Sequence, residues 1–131
     1  LGVSQMQRID EFVARRRALA SRYDQALAGL PLTTHRQDPE GASARHLYPV
    51  QLHGGAATRR RVYDRLHAAG IGVQVHYIPV HTQPFYQSRG FAPGQFPAAE
   101  AYYAGALSLP LYPGLDEAEQ DRVIAVPKES L

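Results

Sequence analysis

An apolar stripe from Met6 to Leu27 commits the opening of this chain to one long helix. Met6, Ile9, Phe12, Val13, Leu19, Ala20, Tyr23 and Leu27 recur at three- and four-residue steps, the period of one helical face. Gly29 followed by Pro31 is a strong stop, so the expected helix covers residues 3–29. At ~1.5 Å per residue the stripe is roughly 30 Å long, about the diameter of a small domain. Arg15, Arg16 and Arg17 interrupt it at its middle, which allows two different bodies to cover its two ends. The end with Met6, Ile9, Phe12 and Val13 is expected to remain bare and to drive self-association, most simply as a symmetric dimer.

The remaining segments are shorter. Residues 33–44 form a polar loop. Residues 45–52 (RHLYPVQL) are a strand with His46, Tyr48, Val50 and Leu52 on one face, and Pro49 argues for an edge position or an irregular pairing. Thr58 is a candidate N-cap for a helix through Ala69 that buries Val62, Leu66 and Ala69. Residues 71–77 (IGVQVHY) alternate most clearly and are the expected second strand. A loop from Ile78 to about Gln95, rich in Pro, Gly and aromatics, has the length and composition of a functional loop. Pro97 opens a helix expected to reach Leu107, and residues 108–113 (SLPLYP) are extended. Asp116 and Glu119 make a capping box for a last helix that Pro127 should end near Val126. The order implies an α+β domain: a small sheet of about three strands with helices packed on one face, preceded by a long helix.

The chain's 131 residues fit one domain, and its apolar content of 44% supports one core. No apolar run reaches membrane-spanning length, and no signal peptide is visible. The absence of cysteine excludes disulfides and thiolate metal sites and fits a reducing cytoplasm. Lys128 is the only lysine among fourteen cations. The triplets Arg15–Arg17 and Arg59–Arg61 spread around their helices by ~100° per residue. With Asp10, Glu11, Asp24 and Asp64 nearby, they form solvated faces rather than a nucleic-acid footprint. Six histidines raise the question of metal, but His76 and His81 flank a strand end and a proline turn, and no HExxH or nearby carboxylate completes a ligand set. Arg45 and His46 read as surface cations. Phe96, Tyr102, Tyr103 and Tyr112 read as packing groups.

The second half carries a run of specific motifs: Val75-His76-Tyr77, Ile78-Pro79-Val80-His81, Gln83-Pro84 with the aromatic pair Phe85-Tyr86, then Phe96-Pro97-x-Ala99-Glu100 and Leu107-Ser108-Leu109-Pro110-Leu111-Tyr112-Pro113-Gly114. In this order they resemble the C-terminal domain of the DegT–StrS family of sugar aminotransferases. The opening helix resembles that family's interdomain helix, and residues 45–52 resemble its His-Leu-Tyr strand. Within the family, the Ile-Pro-Val-His-Thr-Gln-Pro-Phe-Tyr-Gln run is most similar to the 4-aminotransferases of UDP-4-keto-6-deoxy-hexosamines, as in pseudaminic acid synthesis. The tail Val-Pro-Lys-Glu-Ser-Leu departs from the pattern.

The resemblance implies a homodimeric parent enzyme dependent on pyridoxal phosphate (PLP). It would transfer an amino group from glutamate to a keto-sugar held on a nucleotide, in surface polysaccharide or glycan biosynthesis. It further implies that residues 1–131 are the C-terminal small domain, with the PLP-binding large domain elsewhere. His76, Tyr77, His81 and Tyr86 would contact the substrate, with Phe85 as a possible wall. Such a parent needs a lysine that holds PLP as a Schiff base. Lys128, three residues from the end and expected in a frayed tail, is poorly placed for that, so no catalytic residue and no cofactor are expected on this chain alone. A standalone nucleotide- or sugar-binding module and a basic nucleic-acid-binding domain are the competing readings.

Overall fold

The computed structural model describes residues 2–35 and 41–131. The expected long helix is present in two pieces, α1 (Gly2–Met6) and α2 (Ile9–Ala26), separated by a turn at Gln7 and Arg8. At the break the Arg8 amide bonds the Gln5 carbonyl, and the Arg8 carbonyl accepts from Phe12 to start α2. The stripe is fully buried only in its second half: Leu19, Ala20, Tyr23 and Leu27 are buried, Phe12 and Val13, expected to be bare, are partly buried, and Val3 and Met6 are 81% and 63% exposed. Gly29, at φ +80°, lets the chain reverse after α2.

The sheet has three antiparallel strands, β1 (Leu32–Thr34), β2 (Tyr48–Leu52) and β3 (Ala106–Leu109), in the order β1-β2-β3. The α+β architecture expected from the pattern is therefore present, with different strands. Part of the supposed polar loop is β1, and within the rest of that loop residues 36–40 lie outside the described residues. β2 is shorter than the expected 45–52: Tyr48, Val50 and Leu52 are buried on one face as expected, whereas His46 precedes the strand and is exposed. β2 is the central strand rather than an edge, and the irregular pairing that Pro49 also allowed is what the sheet has. Pro49 is tolerated because pairing with β1 stops at Thr34 opposite Val50, so position 49 has a strand neighbour on one side only, at Ser108.

The clearest predicted strand, 71–77, is extended but joins the sheet through a single bridge, Gln74 to Ser108. Ile71 and Val73 do point inward, so the alternation records burial; strand pairing needs a matching ladder, which β3 offers only at Ser108. The third strand lies where a helix end was expected. α5 (Pro97–Gly105) hands directly to β3, so Leu107 belongs to the sheet.

α3 (Gly55–Ala68) starts three residues before Thr58 and buries Val62 and Leu66, with Ala69 partly buried. The loop from Ile78 to Gln95 contains a 3₁₀ turn (Val80–Thr82) and α4 (Pro84–Gln87). α6 (Glu117–Ser130) has the predicted Asp116–Glu119 capping box but runs through Pro127. Arginines of α3 cap its last turn: Arg61 donates to the Ser130 carbonyl at 3.2 Å and Arg65 to that of Glu129 at 3.0 Å. Pro127 itself is buried, which offsets the backbone donor it lacks. α6 is locked to α2 through Gln120, whose buried amide donates to the Leu19 carbonyl at 2.8 Å. Each fully buried Leu or Val in this core contributes roughly 1.5–3 kcal/mol. Among the described residues, no helix is long and apolar enough to cross a membrane.

Candidate functional site

Ser108 is where the candidate site begins. Its backbone pairs with Gln74 in both directions, at 2.8 and 3.3 Å, and its hydroxyl meets His76 Nδ1 at 2.8 Å. The sheet thus fixes the imidazole just as the chain leaves it. The next ring, Tyr77, lies 4.5 Å from that of His76 and is 72% exposed. Tyr77 is therefore presented to solvent and is no part of the core.

Pro79 then sets the 3₁₀ turn, and its carbonyl accepts from both the amide (3.0 Å) and the hydroxyl (2.7 Å) of Thr82. Pro84 sits at the start of α4, which presents Phe85 and Tyr86 edge to face at 5.3 Å. Tyr86 in turn leans on Phe91, and Phe91 on Phe96. These groups line a shallow, open and almost wholly apolar hollow of about 320 Å³ formed by Pro79, Val80, His81, Tyr86, Phe91, Phe96 and Ala99.

His81 is the buried polar group of this wall, 7% exposed, with its Nε2 2.8 Å from Glu100 Oε1. The same oxygen accepts from the amides of Gly94 (2.7 Å) and Phe96 (3.4 Å). The hydrogen bond from His81, then that from Gly94, holds the Glu100 carboxyl below its usual range, against an opposing effect of burial.

Of the four sequence-predicted contacts, His81 and Tyr86 line one hollow, whereas His76 and Tyr77 form a separate pair beside Ser108. In the sequence Glu100 stands out only as the end of the Phe96-Pro97-x-Ala99-Glu100 motif, although its place just inside a Pro97-started helix is the position from which a carboxylate reaches back to free amides. Phe96 and Tyr102, expected as packing groups, are about half exposed, as is Tyr112.

Arg45 is no surface cation: its side chain is 11% exposed, 3.8 Å from Asp24, at a residue with φ +51°. Asp24 also accepts from the Tyr48 hydroxyl at 2.5 Å. Nor are the arginine triplets simply solvated. Arg15 donates to the Leu115 carbonyl, Arg16 to that of His46, and Arg17 to those of Ala42 and Ser43. Among the described residues, no three His, Cys, Asp or Glu side chains gather to hold a metal.

Residues 1–126 match the DegT/DnrJ/EryC1/StrS aminotransferase family, and the chain belongs to it. It is 40% identical over 129 residues to the spore coat polysaccharide biosynthesis protein SpsC of Bacillus subtilis, covering 95% of this chain and 33% of that protein. Spr1654 of Streptococcus pneumoniae, solved in its PLP form, superposes with a TM-score of 0.91 at 30% identity over 99% of this chain and 35% of that one. PseC of Helicobacter pylori, an aminotransferase involved in the biosynthesis of pseudoaminic acid, superposes at 0.88 with 26% identity over 98% of this chain and 35% of that one. The chain spans about a third of the length of these relatives.

Proposed function

We propose that this chain is the C-terminal small domain of a PLP-dependent aminotransferase that moves an amino group from glutamate to a nucleotide-linked 4-keto-6-deoxy sugar for polysaccharide or glycan synthesis. The observation that carries the reading is the family match across residues 1–126, joined to a sheet edge that feeds an aromatic loop. The likeness to PseC supports a pseudaminic-type sugar; the higher identity to SpsC supports a spore-coat or other surface polysaccharide. His76, Tyr77, His81 and Tyr86 are the proposed sugar-nucleotide contacts. The full enzyme is proposed to work as a cytoplasmic homodimer.

PLP belongs to the remainder of such an enzyme. A lysine that forms a Schiff base is activated by desolvation or by neighbouring charge. Lys128, now in the last helical turn and not frayed, is exposed there, so the residues of this chain do not fit that role. The test is direct: mix the chain with PLP and record its visible spectrum, then assay amino transfer to a UDP-4-keto sugar. No stable cofactor band and no turnover are expected. A band and turnover that both vanish in Lys128→Ala would defeat the assignment.

A further inference from the structure

We propose that residues 79–95 form a flap that swings as one unit on the body of the domain, with the Glu100 carboxylate as the latch that holds it. That His81 and Tyr86 on the flap serve a sugar nucleotide rests on the proposed function; the flap and its latch do not.

The segment bonds mainly with itself. Its amides donate within it, Thr82 to Pro79, Gln83 to Val80, Tyr86 to Gln83 and Phe91 back to Tyr86. The rings of Phe85, Tyr86 and Phe91 meet in turn and end on Phe96 at the joint with α5, and Arg89 lies over Phe85. Among the described residues, two hydrogen bonds leave the segment, from His81 and from Gly94, and both reach the same oxygen of Glu100. An ionised carboxylate only accepts, so His81 Nε2 carries a hydrogen whether or not Nδ1 carries another. Apolar packing adds no second fastening to the core. Among the described residues, no apolar side chain between Val75 and Ala106 belongs to the core cluster or packs on it.

Glu100 stands on the body. α5, which carries it, runs directly into β3 and is tied to α3 by Arg59, which donates to the Tyr103 carbonyl. On the other side of the flap, His76 is held by Ser108. The flap therefore pivots between Ile78 and Phe96, and one carboxylate decides where it lies. A segment with so few buried apolar contacts opens far more readily than the core unfolds. Opening carries His81 and Tyr86 away from His76 and Tyr77, so the latch sets the spacing between the two pairs.

The chain has no cysteine, so two introduced ones place spin labels without ambiguity. Ala92→Cys on the flap and Ala68→Cys on α3 both replace exposed residues. Electron–electron distance measurement on the doubly labelled chain should give one narrow distribution, and Glu100→Ala should broaden or shift it. Hydrogen exchange then separates swinging from melting. In Glu100→Ala the Gly94 and Phe96 amides should exchange at least about tenfold faster. The amides of Thr82, Tyr86 and Phe91, and that of Leu66 inside α3, should keep their protection. An unchanged distance distribution would overturn the latch, and lost protection at Thr82, Tyr86 and Phe91 would overturn the single unit. If Leu66 also loses protection, the whole fold has gone in that variant. His81→Phe, which keeps a ring without its donor, then decides by the same distances: a broadened distribution supports the latch and an unchanged one overturns it. Failure of the sugar assignment leaves all these measurements as they are, because none uses a sugar.

Discussion

A Cβ placed on Gly105 would lie 2.6 Å from the carbonyl oxygen of Leu52. The end of α5 therefore rests directly on the backbone of β2, and only glycine permits the approach. Gly105→Ala should cost about 1–3 kcal/mol through forced separation of helix and sheet, outweighing any helix-propensity gain. Urea unfolding followed by circular dichroism should show the lower midpoint, and an unchanged midpoint would mean that the contact relaxes freely.

Tyr23 and Tyr48 give the fold a weakness in alkali. Burial first, and for Tyr48 the hydrogen bond to Asp24 next, push both phenols well above their ordinary value of about 10. The native state then retains protons that the unfolded chain releases, so stability is complete below about pH 10 and falls as pH rises above it. Absorbance at the phenolate band should show these two tyrosines ionising only together with the loss of circular dichroism. Tyr48→Phe should move the alkaline transition to higher pH. Asp24→Ala, which leaves a buried hydroxyl without its acceptor, should cost about 1–3 kcal/mol at neutral pH.

In the longer enzyme proposed above, Tyr77 offers the cleanest test of the proposed substrate contacts. Its exposure means that Tyr77→Phe should leave stability unchanged, so any kinetic effect is a binding effect. A lost hydrogen bond to a charged group is worth about 1.5–3 kcal/mol, or roughly ten- to one-hundred-and-fifty-fold in kcat/KM for the sugar nucleotide. The cofactor spectrum should not change. Unaltered kinetics in Tyr77→Phe, His76→Ala and Tyr86→Phe together would remove this loop from the substrate.

Val3, Met6 and Ile9 expose one apolar end of the first two helices. Self-association of the isolated chain through this end should appear in sedimentation velocity as a concentration-dependent shift. Met6→Glu combined with Ile9→Glu should abolish it without changing the melting temperature, as both side chains are already exposed. A single monomeric species at every concentration would refute the expectation.

Much of this was readable in the residues themselves. The capping box at Asp116 and Glu119, the α3 stripe of Val62 and Leu66, and the alternation of Tyr48, Val50 and Leu52 are local signals, and each appears as expected. What failed depended on partners distant in sequence. Ile71 to Val75 alternates like a strand, but whether it pairs is decided by how many residues β3 leaves for it. Pro49 argued for an edge or an irregular pairing, and sequence cannot choose between them because it does not show that β1 ends one residue short of it. Pro127 was expected to stop a helix whose last carbonyls are in fact capped by Arg61 and Arg65 from α3. At the candidate site, His81 and Tyr86 were named, but Glu100 becomes visible only when residues nineteen apart meet.

The arginines described above end largely on neutral oxygens. Arg15, Arg16 and Arg17 bind the carbonyls of Leu115, His46, Ala42 and Ser43, and Arg59 and Arg122 bind those of Tyr103 and Ala69. A charge donating to a peptide dipole at contact distance is little affected by ionic atmosphere, unlike attraction between separated surface charges. For so arginine-rich a chain, stability should then respond only weakly to added sodium chloride. It should instead be sensitive to the shape of the cation, because lysine carries the same charge without the planar fork that lets one side chain hold two carbonyls at once.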